Sequence, residues 1–100
     1  MVYKVIWSPE AIHTFEKIIE YLDTHWSEKE VRKFLQQTEE GLRYLQQNPY
    51  LFRGSEKENV FELLVSKHNL LLYQIAETHK RVELLSFWDT RQNLDKKHKA

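Results

Sequence analysis

The side chains of this chain that could do chemistry gather in its last third. Lys67, His68, His79, Lys80, Arg81 and Arg91 stand near the ends of strand-like runs. A histidine can give or take a proton near neutral pH, and lysine and arginine can stabilise charge that builds on a phosphate. Together these are the minimum for metal-free RNA cleavage: a base for the ribose 2′-OH, an acid for the leaving oxygen and cations around the phosphorus. His68 and His79 are the candidate proton-transfer groups and Arg81 the candidate catalytic cation. Each also reads as an ordinary turn or surface charge, the commoner fate of such residues. Trp88, at the end of the last run, could stack on a base or anchor a partner. With Arg81 and Arg91 it makes a candidate contact set.

Other chemistries find little support. The five histidines (His13, His25, His68, His79 and His98) are scattered rather than set at ligand spacing, and there is no cysteine, so no metal is expected. No Gly-rich phosphate loop, nucleophile elbow or protease constellation occurs, and no cofactor is expected. Fifteen Lys and Arg balance fifteen Asp and Glu, which gives no general reason to expect binding to nucleic acid or a membrane surface. The first fifty residues hold six basic and eight acidic groups and the second fifty nine and seven, so any anion-facing surface is expected in the second half. The opening residues lack a signal peptide's apolar stretch, and no segment approaches membrane-spanning length. Cytoplasm is therefore the expected compartment.

The elements that must hold these residues can be read from spacing. At 41% apolar content and with thirteen aromatics in 100 residues, the chain can build one core. Residues 2–7 alternate and are rich in β-branched and aromatic types, which predicts a strand. Ser8-Pro9-Glu10 then starts a helix: Ser8 caps it, Pro9 sits where a missing N–H costs nothing, and Glu10 faces the positive end of the dipole. Ile12, Phe15, Ile19, Leu22 and Trp26 predict its apolar face. Ser27 and Glu30 form a capping box for a second helix. Its predicted stripe is Val31, Phe34, Leu35, Thr38, Leu42 and Leu45, ending at Asn48-Pro49.

Residues 49–59 predict a long loop. Three strands follow, over 60–65, 70–76 and 82–88, joined by short hairpin connections. The near-continuous Leu70-Leu71-Leu72-Tyr73 run predicts a central strand covered on both sides. Alternation sends Phe87 and Trp88 to opposite faces, and Asp89 with Arg91 predicts a local ion pair or turn. Residues 1–93 are expected to form one domain and 94–100 a flexible basic tail.

Trp7-Ser8-Pro9-Glu10-Ala11, the helical hairpin closed by Asn48-Pro49, the Leu71-Leu72-Tyr73 strand and the ending Leu85-Ser86-Phe87-Trp88-Asp89-Thr90-Arg91-Gln92-Asn93 together resemble the RelE/ParE superfamily of small toxins. The ParE-type branch is the most similar. The resemblance implies an α+β fold, a helical hairpin packed on a four-stranded, mainly antiparallel sheet in the order β-α-α-β-β-β. It also implies a toxin of a plasmid-stabilisation kind, neutralised by a small cognate antitoxin.

Superfamily members act on DNA gyrase or on ribosome-bound mRNA. The nucleases among them carry Arg near the starts of the second and third strands and a His or Tyr near the end of the last. Here Phe61, Asn69 and Leu70 occupy the arginine regions, and Phe87-Trp88 ends the last strand. These departures favour a non-nuclease toxin. A metal-independent endoribonuclease and a non-toxic degenerate relative remain the alternatives, and a homodimer is an open possibility.

Overall fold

The computed structural model describes residues 2–51, 53–54 and 59–90. Strand β1 (Lys4–Trp7) leads into helix α1 (Pro9–His25) and helix α2 (Glu28–Gln47). A 3-10 turn at Pro49–Leu51 and a two-residue strand β2 (Arg53–Gly54) follow. Strands β3 (Val60–Ser66), β4 (Asn69–Ala76) and β5 (Arg81–Asp89) follow, with a 3-10 turn at Glu77–His79 between the last two. The four principal strands are those expected. The predicted loop after α2 additionally lends β2, which pairs antiparallel with β3.

Both helices start where the sequence places the caps. Ser8 Oγ accepts from the Ala11 N–H at 3.0 Å and Ser27 Oγ from the Glu30 N–H at 3.3 Å. Each removes a donor that the first helical turn leaves unpaired.

The sheet runs in the order β1-β5-β4-β3-β2. The first strand lies parallel to the last, and the other neighbours are antiparallel. The helices cover one face. Ala11, Ile18 and Leu22 of α1 and Phe34 and Leu45 of α2 bury against Leu63, Leu71, Tyr73, Val82, Leu84 and Phe87.

The predicted α1 stripe holds at its middle, where Leu22 is buried and Phe15 and Ile19 pack against the core, and not at its ends. Ile12 is 46% and Trp26 53% exposed, whereas Ala11, Ile18 and Leu22 recur at intervals of seven and four, within a few tens of degrees of one line. The small side chain of Ala11 lets that line sit closely on the sheet. On α2, Leu35 is likewise turned outward.

Strand β4 is central, yet its leucines divide by parity. Leu71 and Tyr73 are buried under the helices, and Leu70 and Leu72 are only half-buried on the opposite face. The prediction that both sides are covered is thus corrected: both helices pack on the same face.

One irregularity sets the ending of β5. Its register against β4 shifts from Tyr73↔Leu84 to Leu72↔Ser86, so Leu85 is an extra, bulged residue. The inward set changes from Val82 and Leu84 to Phe87 and Asp89. Side chains of α1 and its cap take the backbone groups around the bulge. Ser8 Oγ donates to the Leu85 carbonyl at 3.2 Å, and the Phe87 N–H donates to Thr14 Oγ1 at 2.8 Å.

Candidate interaction face

The sheet face opposite the helices is the candidate site. Register assigns its members: Lys4 and Ile6 of β1 lie beside Arg81 and Glu83 of β5, and Ala76 and Gln74 of β4 lie on the other side. Toward the far end come Ser86 and Leu72, then Trp88, Leu70 and Leu64. One end is therefore polar, with two cations, and the other is mainly apolar, with the Glu62 carboxylate of β3 beside Leu72.

Leu64 is the most open of the apolar group at 64% exposure, with Leu70, Leu72 and Trp88 half-buried. The Trp88 indole N–H donates to Ser86 Oγ at 3.1 Å, which holds the ring against the sheet. Its polar atom is satisfied locally and a carbon-rich face remains for a partner.

Arg81 opens β5 at the polar end. Its Nη2 lies 3.4 Å from Glu83 Oε2, and Gln74 Nε2 donates to Glu83 Oε1 at 2.8 Å. Arg81 Nε is buried without a hydrogen-bond partner among the described residues. The side chain is 39% exposed, so an incoming carboxylate or phosphate would meet its outer part and not Nε.

The remaining predicted site residues do not converge. His79 is exposed on the 3-10 turn beside Arg81, whereas His68 sits on the β3–β4 turn. The eight residues of β4 separate the two histidines, about 25 Å at ~3.3 Å per residue. Arg81 and Trp88 are set apart in the same way at the two ends of β5. Arg91 lies outside the described residues, and with it the predicted Asp89–Arg91 pairing. Asp89 itself is fully buried and accepts from Asn69 Nδ2 at 2.9 Å. Among the described residues no three His, Asp or Glu side chains gather as a metal site would require.

Sequence reading missed a surface network at the polar end. The Glu77 carboxylate accepts from Lys80, from the Tyr3 hydroxyl at 2.8 Å and from the Tyr50 hydroxyl at 2.7 Å. It joins the start of β1, the turn after α2 and the turn before β5. The Lys80 hydrogen bond, helped by the two phenols, draws the Glu77 carboxyl down to about 2 from its ordinary 4.5. A depressed carboxyl stabilises the fold above its unfolded value and loses that contribution as pH falls through the folded one. The wild type should therefore melt higher than Glu77→Gln at pH 6, and the difference should close between about pH 4.5 and pH 2. Solvent exposure keeps the effect small. Parallel melting curves over that range test it, and a gap that persists unchanged at pH 2 counts against the network.

The family model for the ParE toxin of the type II toxin-antitoxin system, parDE, matches residues 5–94. Among solved structures, the chain is similar to one from the chromosomal ParDE system of P. aeruginosa. The TM-score is 0.73 at 19% identity, covering 88% of this chain and 96% of that one. It is similar to a chain of the toxin-antitoxin complex RelBE2 from Mycobacterium tuberculosis, with TM-score 0.64, 17% identity and coverage of 89% and 99%. A mutant E. coli RelE toxin in complex with an antitoxin RelB peptide gives TM-score 0.66 at 16% identity, covering 100% of this chain and 96% of that one. No curated protein matches the chain in sequence.

Proposed function

The chain belongs to the ParE toxin family of type II toxin-antitoxin systems, and from that premise we propose that it acts by gripping a macromolecular target with the open face of its sheet. The target we infer is DNA gyrase, which places the toxin in the cytoplasm. A small cognate antitoxin silences it by covering the same face. Among the described residues no helix is long and apolar enough to cross a membrane, in keeping with a toxin that meets its target in solution.

The observation that carries this reading is the division of labour along the sheet. Leu64, Leu70, Leu72 and Trp88 form an apolar grip at one end, and Lys4 and Arg81 supply cations at the other. A protein partner suits such a face, with an aromatic anchor and a charged rim. Strand cleavage instead needs acid and base within hydrogen-bond reach of one phosphate, and His68 and His79 stand at opposite ends of β4. A homodimer built through the apolar end would hide the grip, so the active form in this reading is the monomer.

The test expresses the chain with and without the adjacent antitoxin gene and assays the purified toxin on gyrase supercoiling and on mRNA in a translating extract. Growth arrest relieved by the antitoxin, inhibited supercoiling and intact mRNA are expected. Trp88→Ala should raise the concentration for half-inhibition about tenfold, which is ~1.4 kcal/mol, and Arg81→Ala should act in the same direction. Cleaved mRNA with normal supercoiling would replace this reading with an endoribonuclease. Harmless induction would replace it with a degenerate relative that keeps only the fold and antitoxin binding.

A further inference from the structure

The cationic end of the open face is backed, on the helix side of the sheet, by the Glu77 network. Tyr3 packs against the core on that side, and its hydroxyl donates to Glu77 Oε1 at 2.8 Å. The Tyr50 hydroxyl donates to the same oxygen at 2.7 Å, and Oε2 accepts from the Lys80 ammonium. The next residue in each case is a cation of the open face: Lys4 follows Tyr3, and Arg81 follows Lys80. These two stand opposite each other in the β1–β5 seam. Because successive side chains of a strand alternate between faces, the carboxylate clasp and the two cations sit back to back.

This is the end of the seam that a clasp is needed to close. Strand β1 is a four-residue edge strand, and the ends of such strands open at little cost. The Lys4 N–H donates to the Lys80 carbonyl at 2.9 Å, while the Tyr3 N–H turns away to the Gln46 carbonyl at 2.8 Å. Lys80 itself stands in the left-handed region, at φ 50°, which a residue with a Cβ keeps only where its surroundings hold it. Glu77 holds it twice. Its carbonyl accepts the Lys80 N–H at 3.1 Å, and its carboxylate accepts the ammonium. Lys80 Nζ also lies 5.4 Å from the centre of the Tyr3 ring, within cation–π range.

We propose that Glu77 is a positioning residue for the cationic end of the open face, holding Lys4 and Arg81 in register before a partner arrives. Groups already fixed in place cost less to order on binding. Arg81 is the sensitive reporter of this hold. Its Nε is buried with no hydrogen-bond partner among the described residues, so burial alone shields that N–H from water, and any opening of the seam exposes it. Trp88 stands seven residues further along β5, about 23 Å at ~3.3 Å per residue, and lies beyond the reach of the clasp. The part Glu77 plays in binding rests on the open-face reading, whereas its hold on the seam does not.

Hydrogen exchange followed by NMR on the full chain is the first arm of the test, with Glu77→Gln and with the double substitution Tyr3→Phe and Tyr50→Phe, which keeps both rings. Exchange at the Lys4 amide and at the Arg81 Nε–H should quicken about tenfold through local opening, while the Leu71 amide in the central strand changes far less. Unchanged exchange at both Lys4 and Arg81 would overturn the proposal. So would equal quickening at Leu71, which would show only a loss of global stability. The second arm is inhibition of gyrase supercoiling. Glu77→Gln should raise the concentration for half-inhibition about threefold. On an Arg81→Ala background most of that effect should vanish, and on a Trp88→Ala background it should persist. An effect of full size without Arg81 would also overturn the proposal. No inhibition by the wild type would sink the gyrase reading alone, and the exchange rates would then decide the role of Glu77.

Discussion

Phe87→Ala is expected to remove about 3–5 kcal/mol of folding stability, a large share of the ~5–15 kcal/mol that holds a small domain together. Phe87 is fully buried and joins three elements through aromatic contacts. Its ring stacks on Trp7 of β1 with centroids 5.5 Å apart and meets Phe15 of α1 at 5.1 Å. Phe15 in turn meets Phe34 of α2 at 5.2 Å. Removing the ring leaves a cavity among rigid aromatics that cannot collapse into it, which puts the loss toward the upper part of the usual range. Urea unfolding reads the effect as a lower midpoint with an unchanged slope. Leu64→Ala is the contrast: that side chain is mostly exposed, so its stability should stay within about 0.5 kcal/mol of wild type. If the two variants melt alike, the aromatic cluster is not the keystone of the core.

Thr14→Val should cost about 1–3 kcal/mol despite preserving shape. The Thr14 hydroxyl sends its hydrogen to the carbonyls of its own helix, 2.9 Å to Glu10 and 3.2 Å to Ala11. Its lone pair receives the Phe87 N–H. Valine fills the same volume and leaves that N–H without a partner next to the core, whereas Thr14→Ser keeps the hydroxyl. Thermal melts should show the valine variant lowered by roughly 4–8 °C per kcal/mol and the serine variant far less. Equal melting of all three would mean that the bulge is held by the sheet ladder alone.

The contrast between these two sites shows what the sequence discloses. Ser8, Pro9 and Ser27 announce their helices because a cap is a local arrangement of residues close in the chain. The β3–β4 and β4–β5 connections are equally legible as short polar breaks between apolar runs. The bulge at Leu85 is not, because Leu84-Leu85-Ser86-Phe87 carries no Gly or Pro to mark an extra residue. What stabilises it is Thr14, about seventy positions away. The same distance hides the pairing of β1 with β5, which is parallel and joins the ends of the fold.

The ends of the α1 stripe are less legible for a different reason. Ile12 and Trp26 are as apolar as Phe15, Ile19 and Leu22, which pack on the core, and only the tertiary packing that turns Ala11 and Ile18 inward leaves them exposed. For the candidate site, the residue types at Arg81 and Trp88 were readable, but their separation along β5 required the register. The neighbours Gln74, Glu83 and Ser86 became visible only once the open face was defined.

The parallel seam between β1 and β5 carries one more implication. Lys4 stands opposite Arg81 and Trp7 opposite Leu84, so the first strand finds its neighbour only after both helices and the other strands have been synthesised. Such distant pairing raises contact order and delays closure of the sheet. A nascent chain therefore lacks a closed sheet until β5 has emerged, and a message cut short before that strand yields a polypeptide without the face proposed here to bind a target.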